Sequence, residues 1–499
     1  MNKELIHKIL LTCLIIASSV YIYSVFPKLN EYKLGADEGT YYRQGKTILT
    51  NGFSGFQILA KNYVQDSSKQ LEPHPLRIGH TISTAILLKI KDSIFMLSLK
   101  SWIYFILILL CSNWYIKKIW GTNSVFYIVI LLSISPLITG MSKRALIDIE
   151  SLFYTILALF QFLYYINNSS NKNFYLFTAF LSISCFFKET AFFLIPFYFI
   201  ILLFLKLKNE KISLSKIFIC CITPFLVVGI VDLILFQGLD ILIEILKILF
   251  NSSNHYMNKF GNGPWFQYLI DFLLLSPFVS TMGIFFIGYC IINREKKLEN
   301  MVIIALFLYL IILYSFIPKN VRFLLMNEFL LCIFSGLFIM NVYNNYKGLI
   351  YWKDIILYSG LMFLIYNGYK SFNNYFVKYN IYDPIGYNLL YAAQIIPNKE
   401  LSKINSKQKI LSSKELSNKF LENSLKHYQL GEYKLCIKEA KKSIQINPSA
   451  DAYNNICAAY NQLKEFDNAV EACNKAIKLE PAHRLANGNL KYAISQKYN

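Results

Sequence analysis

An all-α, polytopic transmembrane helix bundle followed by a short α-solenoid is the fold class that three features predict: long apolar runs, clustered charge and a C-terminal repeat. Hydrophobic residues make up 55% of the 499, with 40 Phe and 36 Tyr. The charges gather between apolar runs instead of along them, which is the pattern of a multi-pass membrane protein. The first run, Ile9 to Phe26, lacks a small-residue cleavage site in a suitable frame and exceeds an ordinary signal h-region. It reads as a retained anchor helix.

Further spans are expected near 93–116, 123–141, 146–166, 173–188, 190–207, 214–236, 267–292, 300–318, 321–343 and 350–370, about eleven in all by the ~20-residue rule. Leu76 to Ile90 is apolar but short, follows Pro73 and Pro75, and ends at Lys89 and Lys91. That suits a position in the membrane interface without a crossing. With the N-terminus inside, Lys117-Lys118, Lys172, Lys206-Lys208-Lys211, Arg294-Lys296-Lys297 and Lys347 all fall on the cytoplasmic side, as the positive-inside rule requires. Had Leu76 to Ile90 crossed, these clusters would face outward. The basic residues left on the external side are Lys143-Arg144, Lys188, Lys319 and Arg322.

Topology also accounts for much of the formal charge of +20. The basic residues sit in loops, and in the tail they interleave with acidic ones, so they do not mark a nucleic-acid surface. Ten Cys include membrane-embedded Cys13, Cys111 and Cys332, with no CxxC or Cys/His ligand spacing. This argues against a disulfide framework and against a zinc site.

From about Ser371 the chain turns polar, so 1–370 is taken as the membrane domain and 371–414 as a linker. From Glu415 helices repeat with a period of 33: Gly431-Glu432-Tyr433, Ala440, Ile444 and Pro448 align with Lys464-Glu465-Phe466, Cys473, Ile477 and Pro481. Tyr453, Ile456, Ala458, Tyr460, Ala469 and Ala476 are the small or aromatic residues that close helix pairing needs. Residues 415–499 therefore resemble tetratricopeptide repeats, with His483 to Tyr498 as the capping helix of a short solenoid. An odd number of spans places this domain outside the cytoplasm.

Chemistry is expected on the external face. Gly35-Ala36-Asp37-Glu38-Gly39-Thr40-Tyr41-Tyr42 puts two carboxylates about ten residues past the first span, in a loop, 27–77, that also holds Arg43 and His74. From this segment alone two readings stay open: a general base toward an acceptor hydroxyl, or the acidic N-terminus of a surface helix. The loop Ser142-Lys143-Arg144-Ala145-Leu146-Ile147-Asp148-Ile149-Glu150 sets cations and carboxylates within two turns, suited to binding a phosphate or to snorkelling beside an N-cap Asp148. Lys188-Glu189-Thr190 holds both charges at the membrane edge, as half of a site or as a self-satisfied ion pair. Arg322, after Pro318-Lys319-Asn320, opens a span where an anionic headgroup would sit.

In that order, Asp37-Glu38, His74-Pro75-Leu76, Ser135-Pro136 with Lys143-Arg144 and Asp148, Lys188-Glu189-Thr190 and Arg322-Phe323-Leu324 resemble the GT-C membrane glycosyltransferases over roughly the first two-thirds of the chain. The protein O-mannosyltransferases and the bacterial transferases that add aminoarabinose to lipid A are the most similar branches. The resemblance implies an inverting hexosyl- or pentosyltransferase of a bacterial inner or plasma membrane. It implies a polyprenyl-phosphate sugar donor and a protein, lipid or glycan acceptor outside the cytoplasm. It further implies Asp37 as general base with Glu38 assisting or holding geometry, and Lys143, Arg144, Lys188 and Arg322 on the donor phosphate. His74, Asp148 and Glu189 are further site residues without an assigned role. The family usually carries Arg where Lys143 stands. No P-loop, GxGxxG or DxD spacing calls for a nucleotide. No cofactor is implied outright; some members hold a divalent metal near the site, and the sequence leaves that open. A repeat domain fused to this core resembles lumenal O-mannosyltransferases and implies a protein partner. A flippase of lipid-linked sugars and a non-catalytic repeat scaffold are the alternatives. The charges crowding one face, without internal halves, favour the enzyme.

Overall fold

The computed structural model describes residues 3–66, 69–208, 212–250, 261, 263–346, 350–386, 388–395 and 412–497. The chain divides into two compact units, 1–395 and 396–499. Among the described residues the structure is helical apart from one isolated antiparallel bridge, Asn320 with Ile385.

In the first unit, seven described helices are long and apolar enough to cross a membrane. Thr122–Ile134 and Pro136–Ser142, bent by 56° at Ser135, make an eighth if taken as one span. The count of eleven is not reached by this measure. Three expected spans fall short: 267–292 is broken at Ser276 into Gln267–Leu275 and Pro277–Ile292, Asn171–Phe187 has only 17 residues, and Ile350–Phe372, with Lys353, Asp354 and Lys370 along it, is not among the helices that meet this measure. Ile78–Ile90, at 13 residues, is about 20 Å long and too short for a ~30 Å hydrocarbon core.

The spans differ in how much of them the protein covers. Leu5–Ser24 is 17% buried, as expected of a helix facing lipid, whereas Asp148–Asn168 is 83% and Val321–Asn345 is 78% buried. These two are the central posts of the bundle. Asp148–Asn168 packs on Phe95–Trp120 and Asn171–Phe187, and Leu325–Asn345 packs on Thr122–Ile134 and Pro277–Ile292. Close helix approach in a membrane requires small residues. A Cβ at Gly336 would fall 2.4 Å from Ile128 Cγ1 and 2.9 Å from its backbone nitrogen, so only glycine fits that crossing.

Glu328, buried on the second post, ties both helix breaks together. Its Oε1 accepts from Ser135 Oγ at 2.8 Å and from Ser276 Oγ at 2.7 Å. Each serine precedes a proline that opens the next helix, where the missing N–H costs nothing. The bends are thereby pinned to the helix that begins beside Arg322.

The segment expected as a linker instead completes the first unit. Phe372, Tyr375 and Phe376 are buried in its core, and Val321 N–H donates to Pro384 O at 3.3 Å while Gly386 N–H donates to Lys319 O at 2.8 Å. Polar composition hid this because the segment alternates Asn and Lys with inward-facing aromatics. Residues 396–411, the rest of the expected linker, lie outside the described residues.

The second unit holds helices Ser412–Gln429, Tyr433–Ile446, Ala450–Gln462, Phe466–Leu479 and Arg484–Lys497, packed in antiparallel succession. Ala440, Ala469 and Ala476 are fully buried at the positions where the repeat calls for small side chains. Cys457 and Cys473 face each other across one helix pair with Cα atoms 5.3 Å apart and form a disulfide. This corrects the expectation drawn from cysteine spacing: 16 residues separate the pair, and only helix pairing brings the two into bonding range. Alkylation of the denatured, unreduced full chain should leave Cys457 and Cys473 in one linked peptide, and Cys457→Ser should lower the stability of this unit by about 3 kcal/mol. Free alkylation of both without reductant would refute the bridge.

Candidate functional site

Ala36 is extended and Asp37 starts helix Asp37–Asn51. Consecutive helical residues point about 100° apart, so the two neighbouring carboxylates separate. Asp37 stays 31% exposed with Oδ2 3.3 Å from an Arg322 terminal nitrogen. Glu38 turns inward and is fully buried. Its Oε2 accepts from Arg144 at 2.7 Å and from Lys33 N–H at 2.9 Å, and its Oε1 from Ala145 N–H at 3.1 Å. Glu38 therefore locks the helix start to the loop that leads into the first central post.

Arg322 gathers carboxylates from three separate parts of the chain. Besides Asp37, it reaches Asp148 at 3.5 Å and comes within 3.0 Å of Asp383. The Asp383 contact lacks hydrogen-bond alignment at Nε, so charge attraction is its main content. Asn320 caps the turn by accepting from Arg322 N–H at 3.1 Å and donates to Asp383 at 2.8 Å. Burial raises the Asp383 carboxyl above its ordinary range, against the opposing pull of Arg322. Asp148 Oδ1 also accepts from Lys188 Nζ at 2.6 Å, so one aspartate is shared by two cations. Asp148, Lys188 and Arg322 line a cleft of about 40 Å3, room for a few waters, which continues past Ser151, Thr155 and Tyr314.

The remaining expected residues are placed less uniformly. Glu189, 44% exposed on its side chain, binds Arg77 at 2.5 and 2.9 Å, and His74 Nε2 lies 3.2 Å from it. Arg77 also donates to Tyr41 OH. Burial disfavours the Arg77 charge, but Glu189 and Tyr41 outweigh it and hold this guanidinium above its ordinary value. Lys143 points away from the cleft and donates to Phe376 O; burial first, then neighbouring Arg144, push it down to about 8. Arg144 is fully buried, with Asn380 Oδ1 at 3.3 Å and the Tyr382 ring centroid at 5.1 Å.

Several site residues escaped the sequence reading. Asp383 and Tyr382 lie in what composition marks as linker, and Arg77, directly after His74-Pro75-Leu76, reads in sequence only as a loop boundary. Beneath Tyr41 a buried cluster joins His80 Nδ1 to Glu150 at 2.5 Å and Lys100 Nζ to Glu150 at 3.0 Å, with Ser83 and Thr84 each 2.9 Å from that lysine. The His80 ring meets Tyr41 edge-on at 4.4 Å. Burial, reinforced by Lys100, pushes His80 down to about 4. Among the described residues no group of three or more His, Cys, Asp or Glu is arranged to hold a metal ion.

A partly exposed aspartate, Asp37, beside two buried cations, Lys188 and Arg322, and two buried aspartates, Asp148 and Asp383, sets a dense charge cluster at one end of a membrane-helix bundle. Residues 68–411 match the Alg9-like mannosyltransferase family, and the chain belongs to that family. Residues 450–483 match the tetratricopeptide repeat. The structure is similar in fold to ArnT from Cupriavidus metallidurans, solved bound to undecaprenyl phosphate, with a TM-score of 0.51 at 8% identity over 98% of this chain and 75% of that one. The archaeal oligosaccharyltransferase AglB from Archaeoglobus fulgidus gives 0.48 at 12% identity, over 79% of this chain and 59% of that one. Sperm-associated antigen 1 of Rattus norvegicus is 34% identical over 95 residues, 18% of this chain and 11% of that protein. The chain thus spans about a tenth of that relative and under two thirds of the oligosaccharyltransferase.

Two measurements test the internal supports. Glu38→Ala leaves the Arg144 charge buried and unmatched, so thermal or denaturant unfolding should show a loss of about 3–5 kcal/mol; an unchanged midpoint would remove Glu38 as the pin. His80 is neutral in the fold and binds a proton near 6.5 when unfolded, so its contribution is complete above pH 6.5 and declines as pH falls through about 4. The pH slope of stability between those values should flatten in His80→Gln.

Proposed function

We propose that this protein is an integral-membrane glycosyltransferase that moves a sugar, mannose by family, from a polyprenyl-phosphate donor to an acceptor hydroxyl on the extracytoplasmic side. The observation that carries the reading is Asp37: a partly exposed carboxylate held 3.3 Å from Arg322, next to a cleft edged by Lys188 and Asp148. Family membership supports the reaction class. The ArnT structure bound to undecaprenyl phosphate supports a lipid-phosphate donor.

In the reaction, Asp37 takes the proton from the acceptor hydroxyl as its oxygen attacks the anomeric carbon. The bond from that carbon to the phosphate oxygen breaks, its electron pair leaves with the polyprenyl phosphate, and the configuration inverts. Lys188 and Arg322 stabilise the charge that grows on the leaving phosphate, and Arg favours bidentate contact with it. Asp148 holds both cations in place before the donor arrives.

The donor-phosphate role expected of Lys143 and Arg144 is not retained in this proposal. Both are turned into the protein, Lys143 onto the Phe376 carbonyl and Arg144 onto Glu38. They and Glu38 are positioning residues, while Glu189 is held by Arg77 and His74 outside the cleft. The repeat unit recruits an acceptor or protein partner, and the Cys457–Cys473 bridge supports an oxidising, extracytoplasmic location for it.

With purified full-length protein, undecaprenyl-phosphate mannose and membrane extract as acceptor, wild type should release undecaprenyl phosphate as mannose is transferred. Asp37→Asn should transfer about 10²–10⁴-fold more slowly at unchanged membrane insertion and abundance. Undiminished transfer by that variant would sink the base assignment, and donor binding without transfer by wild type would sink the enzyme reading.

A further inference from the structure

The second central post carries another feature at its far end. Helix Leu325–Asn345 runs away from Arg322, and at ~1.5 Å per residue Tyr343 lies about 30 Å from that arginine, the thickness of the bilayer core. Helix Ile350–Phe372 follows, and the two are joined near their adjoining ends by Tyr343 OH donating to Asp354 at 2.8 Å. Away from those ends they part: the main neighbours of Ile350–Phe372 are Thr122–Ile134 and Pro136–Ser142. What remains between them is a groove of about 220 Å3, walled by Phe338, Val342, Leu361 and Leu364 and widened at Gly360. A Cβ at Gly360 would meet nothing within 4 Å.

An apolar groove of this size does not hold water well, and at this depth the material available to fill it is lipid chain. Its polar end is equally defined. Lys353 lines the groove with its ammonium 4.1 Å from the Tyr343 ring centroid, and among the described residues no carboxylate forms an ion pair with it. Tyr346 and Trp352 are exposed beside it, in the manner of side chains that sit at headgroup level. Apolar walls through the membrane and one cation with aromatic rims at its boundary are complementary to a phospholipid of negative headgroup charge.

We infer that the groove between Leu325–Asn345 and Ile350–Phe372 is a binding site for an anionic phospholipid, with one acyl chain along Phe338 and Leu361 and the headgroup phosphate at Lys353. The site is distinct from that of the donor, whose phosphate is required at Lys188 and Arg322, about 30 Å away along the same helix. A lipid here wedges the second post against its neighbour and supports the helix on which Arg322 is mounted. The inference does not rest on the proposed reaction.

Native mass spectrometry of the full chain, mixed with phosphatidylglycerol or phosphatidylcholine of the same chains, tests it. Wild type should retain phosphatidylglycerol several-fold better than phosphatidylcholine. Lys353→Glu, a change at the membrane boundary, should abolish that preference, and Gly360→Leu, which fills the groove, should reduce retention of both lipids. Absence of retained lipid on wild type, or an unaltered headgroup preference in Lys353→Glu, would overturn the site. Displacement of the bound lipid by undecaprenyl phosphate, with phosphatidylglycerol ineffective, would assign the groove to the donor and equally overturn it.

Discussion

Everything on the charged face depends on how Arg322 is neutralised. An isolated guanidinium at the mouth of a largely buried helix would be expensive to desolvate, and here it is matched by Asp37, Asp148 and Asp383. Each of these comes from a different part of the chain: the first surface helix, the other central post, and the segment after the last span. The pairing therefore does more than lower an electrostatic penalty. It requires four elements to converge at one point, and it leaves Asp37 as the carboxylate with an open side.

Burial divides the work between adjacent residues that look alike in sequence. Asp37 and Glu38 differ by one position, yet the helical turn between them sends one to the surface and the other onto Arg144. Lys143 and Arg144 are divided from Lys188 in the same way. Lys188 edges the cleft, whereas the first two brace the loop that leads to Asp148. A partly open acid framed by buried ion pairs is held in place, because its neighbours cannot swing away without leaving a buried charge unmatched.

Much of the fold could be read along the chain, since apolar runs and a 33-residue repeat are local signals. The ordered motifs located Asp37, Asp148, Lys188 and Arg322, all of which the structure brings together. Local signals failed where partners are distant. Asp383 was invisible because its segment is polar in composition, and it faces Asn320 and Arg322 from more than 60 positions away. Arg77 was visible as a residue but not as a site member, because its partners Glu189 and Tyr41 are 112 and 36 positions away. The helix break at Ser276 and the pairing of Cys457 with Cys473 escaped for the same reason. The serine is fixed by Glu328, and the cysteines by the packing of one repeat helix on another.

By itself, the sequence determined that this is a helical membrane protein with a repeat domain, and that carboxylates and cations recur at the ends of its spans. Hydrophobic length and periodicity suffice for that, because the bilayer imposes them residue by residue. Only the tertiary structure decided which charges meet, which of two neighbouring carboxylates stays open, and which cations are consumed as braces. Those outcomes depend on the relative rotation of helices far apart in the chain, and no local pattern encodes that angle.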